Sequence, residues 1–133
     1  MLTDKVFKLL SDKTRLRLLM LIDGRELCVC QIMAVLGVSQ PLVSKNLSLL
    51  NAGGFLDERR DGKLVFYRVR KELPTERVDT MELLRKHMKK DSDIINDKVV
   101  LKECMEYQKK KGTCDMKTFQ EYMKQQKRRK GNA

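Results

Sequence analysis

The chain contains no tryptophan, two prolines and one histidine, His87, in 133 residues. With a single histidine and no supporting set around it, there is no Ser/His/Asp constellation, and His87 reads as a solvated helix residue. No phosphate-cradling glycine loop is present, and no carboxylate pair stands where a cleft is expected. No apolar run approaches the roughly 20 residues that a membrane span needs. Residues 1–27 hold no cysteine, and Met1-Leu2-Thr3-Asp4-Lys5 does not open like a signal peptide. The expected compartment is therefore the reducing cytoplasm. There Cys28, Cys30, Cys104 and Cys114 stay as thiols, potential ligands or buried groups rather than a disulfide framework.

Hydrophobic residues make up 41%, enough for a core, and a dimer core shared between two chains suits a protein of this size. The formal charge is +11, which points to a polyanionic partner. It is unevenly spread: residues 105–130 hold nine Lys/Arg against three Asp/Glu. The expected organisation is one compact domain over residues 1–90 and a helical extension with a basic tail over 91–133.

The first helical stripe, over residues 3–10, carries Val6, Phe7, Leu9 and Leu10. Ser11 or Asp12 can cap a second helix with Leu16, Leu19, Met20 and Ile22 on its apolar side, ended by Asp23-Gly24. A third helix is expected from about Val29 to Leu36, with Gly37 just past its end. Ser39 then caps a fourth helix that has Pro41 in its first turn and runs to about Asn51.

The third and fourth helices, joined by Gly-Val-Ser, form a helix-turn-helix. Val43, Leu47 and Leu50 face the core. Gln40, Ser44 and Ser48 recur on the opposite side with Lys45 beside them, the residue types that read base edges. An ordinary solvated face would look the same. The next stretch of chain decides between the two. Two β-prone segments, 55–60 and 63–69, flank Arg60-Asp61-Gly62-Lys63, a strong hairpin signal. A basic hairpin straight after such a helix is a wing, and Arg59, Arg60 and Lys63 are its expected phosphate contacts. The fold class is mainly α with a small β-hairpin: a winged helix-turn-helix.

Leu9-Leu10-Ser11-Asp12-Lys13-Thr14-Arg15-Leu16-Arg17 resembles the opening of the arsenical-resistance repressor (ArsR) family. Glu26-Leu27-Cys28-Val29-Cys30-Gln31-Ile32 and Val38-Ser39-Gln40-Pro41-Leu42-Val43-Ser44-Lys45-Asn46-Leu47 do so too, followed by the Gly62–Tyr67 wing. The resemblance covers roughly residues 5–90. It implies a homodimeric repressor on a double-stranded operator, with the first helix and the helix after the wing at the dimer interface. The stripe Val78, Met81, Leu84 and Met88 points the same way, because a short amphipathic helix needs a surface to cover. Two chains related by a two-fold axis would offer two reading heads to a palindromic site.

In that setting Cys28-x-Cys30 reads as a ligand pair, since soft thiolates select thiophilic ions. The resemblance implies As(III) or Sb(III) as inducer, held by three sulfurs. Cd(II), Pb(II) or Zn(II) on the same fold is the alternative, as is a thiol-redox regulator. The chain departs from the family in three places. Met33 stands where one type of arsenic sensor has its third Cys. The cysteines that a cadmium and lead sensor carries near its N-terminus are missing. Asp79-Thr80-Met81 lacks the His of a zinc-sensing subgroup. Cys104 and Cys114, on helices expected over 92–111 and 114–128, are either incidental thiols or the source of the third sulfur. A thiol oxidoreductase is disfavoured: such enzymes use Cys-x-x-Cys on a βαβ pattern, and this chain has neither.

Overall fold

The computed structural model describes residues 2–112, 121–122 and 124–125. Among them run α1 (Leu2–Leu10), α2 (Lys13–Ile22), β1 (Leu27–Cys28), α3 (Val29–Leu36) and α4 (Gln40–Ala52). The hairpin β2 (Leu56–Asp61) and β3 (Leu64–Val69) comes next, then α5 (Thr75–Met88) and α6 (Ser92–Lys111). No helix among the described residues is long and apolar enough to cross a membrane.

Local chemistry places most of these boundaries. Asp12 caps α2 by accepting the Arg15 N–H at 3.0 Å. The Arg15 guanidinium then donates to the Leu9 carbonyl and to Oδ1 of the buried Asn46, tying the α1–α2 corner to α4. Gly37 ends α3 at φ +67°, the left-handed position that favours glycine. Ser39 accepts the Leu42 N–H, and Pro41 sits in the first turn of α4. In the hairpin Asp61 pairs with Leu64, so the turn is Gly62-Lys63. Only its first residue has positive φ, which is why glycine stands there.

One strand was not expected. β1 joins the hairpin to give the order β1-β3-β2, with Leu27 opposite Tyr67 and Cys28 opposite Phe66. The core gathers α2, α3, α4, Phe55, Leu56, Met81, Ile94 and Leu101. α6 lies along α2 and α3, so Leu18 and Leu21 are buried as well as the expected Leu19, Met20 and Ile22, while Leu16 is only half-buried. Arg17 on α2 grips the buried Asp97 on α6 through two hydrogen bonds, 2.9 and 2.6 Å.

Two sequence-based expectations are corrected. On α6 the spacing predicts Ile94, Leu101 and Met105 on one side; the inward stripe is instead Ile94, Asp97, Leu101 and Cys104, and Met105 is exposed. One residue further turns the helix about 100°, which carries Met105 past the edge of that face. On α5 the stripe does not wait for a second chain. Met81 is fully buried in its own core, with Leu84 and Met88 packed against it. The apolar side chains left in solvent on α1 and α5 are Phe7, Val78 and Leu83. His87 is exposed, as expected.

Candidate DNA interface and thiol site

Gln40, Ser44, Lys45 and Ser48 are all exposed on α4, opposite the buried Val43, Leu47 and Leu50. Arg60 and Lys63 are exposed on the hairpin. Arg59 is differently placed. Its guanidinium lies 4.9 Å from the centre of the Phe66 ring and is paired with the Glu26 carboxylate, Nη2 to Oε2 at 2.9 Å. The hydrogen bond from Arg59 holds the Glu26 carboxyl below its usual range. A residue that sequence reasoning assigned to phosphate alone therefore already has an intramolecular partner.

Cys28 ends β1 and is at the same time the N-cap of α3, with extended backbone at φ −95° and ψ 167°. Gln31 at the third helical position accepts the Cys28 N–H at 3.0 Å, one half of a capping box in which cysteine takes the place of serine or threonine. The Gln31 amide donates onward to Gln108 of α6 at 3.2 Å. Cys30 comes in the first turn of α3 and is also buried. Because Cys28 is extended, the separation of the two thiols is not dictated by the helical 100° step. Glu26, Gln31 and Phe66 were not singled out from sequence. A Cys-x-x-Gln cap before an apolar run was the available signal for Gln31.

Met33 is buried in the core among aliphatic side chains. Cys104 is buried beside Ala34 and Tyr122. Its thiol is pushed up to about 11, first by burial and then by the neighbouring Cys28. Cys114 and the basic run Lys127-Arg128-Arg129-Lys130 lie outside the described residues. Cys28, Cys30 and Cys104 are not in disulfides. Among the described residues no three or more His, Cys, Asp or Glu side chains are grouped to hold a metal ion. The donors suit a thiophilic ion by chemistry, but three of them do not stand assembled.

The Cys104 shift has a measurable sign. An unshifted thiol titrates near 9.0 and the folded one near 11, so the folded state holds this proton more tightly. Its contribution to stability is complete below pH 9 and is lost as pH rises toward 11. Thermal melts of Cys104→Ala should decline less steeply than wild type across that window. An equal decline would show that the thiol is not shielded. Below pH 8, Cys104 should also alkylate slowly, since the thiolate is the nucleophile.

A helix-turn-helix with a basic β-hairpin behind its second helix is the winged helix-turn-helix architecture. Residues 12–58 match the family described as bacterial regulatory protein, arsR family. An arsenic resistance transcriptional regulator of Pseudomonas putida is 49% identical over 71 residues, 53% of this chain and 62% of that protein. The cadmium resistance transcriptional regulatory protein CadC of Listeria innocua is 42% identical over 62 residues, 46% of this chain and 52% of that one. The matches thus span little more than half the length of these curated relatives. Among solved structures, the homodimeric winged helix-turn-helix DNA-binding domain of a possible ArsR-family regulator from Mycobacterium bovis superposes with a TM-score of 0.55. Identity there is 25%, covering 68% of this chain and 82% of that one. These relatives are named as regulators.

Proposed function

We propose that the chain is a cytoplasmic transcriptional repressor that binds a palindromic operator as a homodimer. Arsenite or antimonite captured at Cys28 and Cys30 releases it. One observation carries this reading: Cys28 is both the last residue of β1, paired to the wing, and the cap of α3, which leads through Gly37 to α4. A group that grips Cys28 pulls on both DNA-contacting elements at once. The named relatives are regulators of arsenic and of cadmium resistance, which supports a thiophilic inducer. Cd(II), Pb(II) or Zn(II) at the same thiols is the second reading, and the cadmium relative favours it.

The third sulfur does not come from Met33, which is packed into the core. Cys104 is one candidate, because its thiol feels the charge of Cys28; Cys114, outside the described residues, is the other. Among the described residues no three donors are grouped beforehand, so capture by them moves Cys28 or Cys30, and that movement is the signal. Phe7, Val78 and Leu83, exposed on α1 and α5, support those two helices as the dimer contact. α6, the described part of the extension, lies against α2 and α3 beside the thiol site.

In this reading Gln40, Ser44, Lys45 and Ser48 meet base edges, and Arg60 and Lys63, with Arg59, meet phosphates. The test is anisotropy on a duplex from the promoter of the chain's own gene, titrated with arsenite, antimonite and Cd(II). The ion that releases wild type at the lowest concentration identifies the inducer. Lys63→Ala should weaken all duplexes alike and flatten the salt dependence by about one unit of slope. Ser44→Ala should change the preference among operator variants instead. If neither variant alters binding at low salt, α4 and the hairpin do not contact DNA.

A further inference from the structure

Glu26 and Arg59 close a clamp across the sheet that the proposed mode of operator binding leaves unused. Cys28 stands opposite Phe66, and Phe66 stands opposite Arg59, so the three share one row and one face of β1, β3 and β2. The Arg59 guanidinium rests on the Phe66 ring and reaches past it to Glu26, the residue just before β1. Its Nε donates to both carboxylate oxygens, at 3.3 and 3.2 Å, and its Nη2 donates at 2.9 Å. Arg68 on β3 lies on the same carboxylate, Nη1 to Oε1 at 3.9 Å. One carboxylate thus faces two wing cations, two residues away from a thiol of the inducer site.

We propose that Glu26 is a positioning residue that restrains Arg59, so that DNA phosphates must compete with a carboxylate for this guanidinium. On binding, Arg59 leaves Glu26 for the backbone. The clamp is suited to such an exchange. Arg59 and Glu26 are 48% and 31% exposed, so the pair is solvated and weak, and a polyanion can break it. The second half of the inference rests on inducer capture at Cys28 and Cys30. An ion at Cys28 fixes the segment that carries Glu26, keeps Arg59 on the carboxylate, and so weakens the wing's grip as well as the aim of α4.

The experiment is a salt series of anisotropy titrations on the full chain, with an operator duplex and an unrelated duplex and no metal present. Glu26→Gln keeps the side-chain length and removes the charge. It should tighten both duplexes by roughly 2- to 5-fold per protomer, the value of an exposed ion pair. The salt dependence should keep its slope, because Arg59 meets a phosphate in both bound proteins and only the cost of leaving Glu26 is removed. In an Arg59→Ala background the same change should do nothing, because the restrained group is gone. Unchanged affinity in Glu26→Gln would overturn the clamp. So would equal tightening without Arg59, since the carboxylate would then act by its own repulsion of DNA. With arsenite added, Glu26→Gln should lose less affinity than wild type, and an equal loss overturns the coupling half. A wild type indifferent to both arsenite and Cd(II) overturns the thiol reading instead, and the metal-free series still decides the clamp.

Discussion

Cys28→Ser and Cys30→Ser should each hold the operator with wild-type affinity and fail to release it at inducer concentrations that free the wild type. The structure makes this a clean substitution at position 28. Serine is a favoured helix N-cap, and Gln31 already supplies the reciprocal half of the box. Cys28→Ser should therefore fold at least as well as wild type, with α3 capped by oxygen in place of sulfur. At position 30 serine is tolerable in the first turn, where backbone N–H groups lack helical acceptors. What both variants lose is thiolate character, and a hydroxyl is a poor ligand for a soft ion. The expected size comes from typical coupling between two sites, ~1–3 kcal/mol, which is a roughly 5- to 150-fold change in operator affinity on inducer binding. That whole factor should vanish in either variant, giving constitutive repression. Reciprocity adds a second reading of the same quantity: operator DNA should weaken inducer binding to wild type by an equal factor. If either serine variant still dissociates at the wild-type inducer concentration, the switch does not run through the β1–α3 junction.

Much of the helix-turn-helix and hairpin was legible because its determinants are local. Gly37, Ser39 and Pro41 mark the turn between α3 and α4 within five residues, and the positive φ of Gly62 marks the hairpin. Each of those residues acts on its own backbone or on that of a near neighbour. The thiol half was less legible, because its partners are remote. β1 has two residues and becomes a strand only by pairing with β3, far along the chain. Glu26 meets Arg59 across a separation of 33 residues and Gln31 meets Gln108 across 77, so no window of sequence contains either pair. The α5 stripe misled for the opposite reason. Its periodicity was real, but periodicity says only that a face is covered. The molecule's own core covers Met81, whereas Val78 of the same stripe is left in solvent together with Leu83 on another face. Cys104 illustrates both limits: burial inside α6 follows from helical spacing, whereas its closeness to Cys28 depends on how α6 docks.

That docking includes one ion pair with a buried carboxylate, and breaking it should be the largest single stability loss in the molecule outside the aliphatic core. Asp97 is 2% exposed on α6, and its two oxygens are met by Arg17 of α2 at 2.9 and 2.6 Å. The hydrogen bonds to Asp97 raise the Arg17 guanidinium above its ordinary range. Arg17→Met removes the partner and leaves a carboxylate in the interior between α2 and α6. Stranding one member of a buried pair costs about 3–5 kcal/mol. A domain of this kind has a total stability of about 5–15 kcal/mol, so a large share is at stake. The paired substitution Arg17→Met with Asp97→Leu removes both charges and should recover most of the loss, because apolar replacement of a buried pair is often neutral or stabilising. Urea unfolding of the three proteins measures this directly. The functional consequence is read by alkylation. α6 carries Cys104 and the Gln108 that braces Gln31 at the cap of α3. In Arg17→Met, Cys104 should therefore be modified faster than in wild type, and in the double variant it should return to the slow wild-type rate. A loss below about 1 kcal/mol for Arg17→Met is the value of a solvated surface pair. Combined with unchanged Cys104 reactivity, it would show that α6 is held by its apolar face alone.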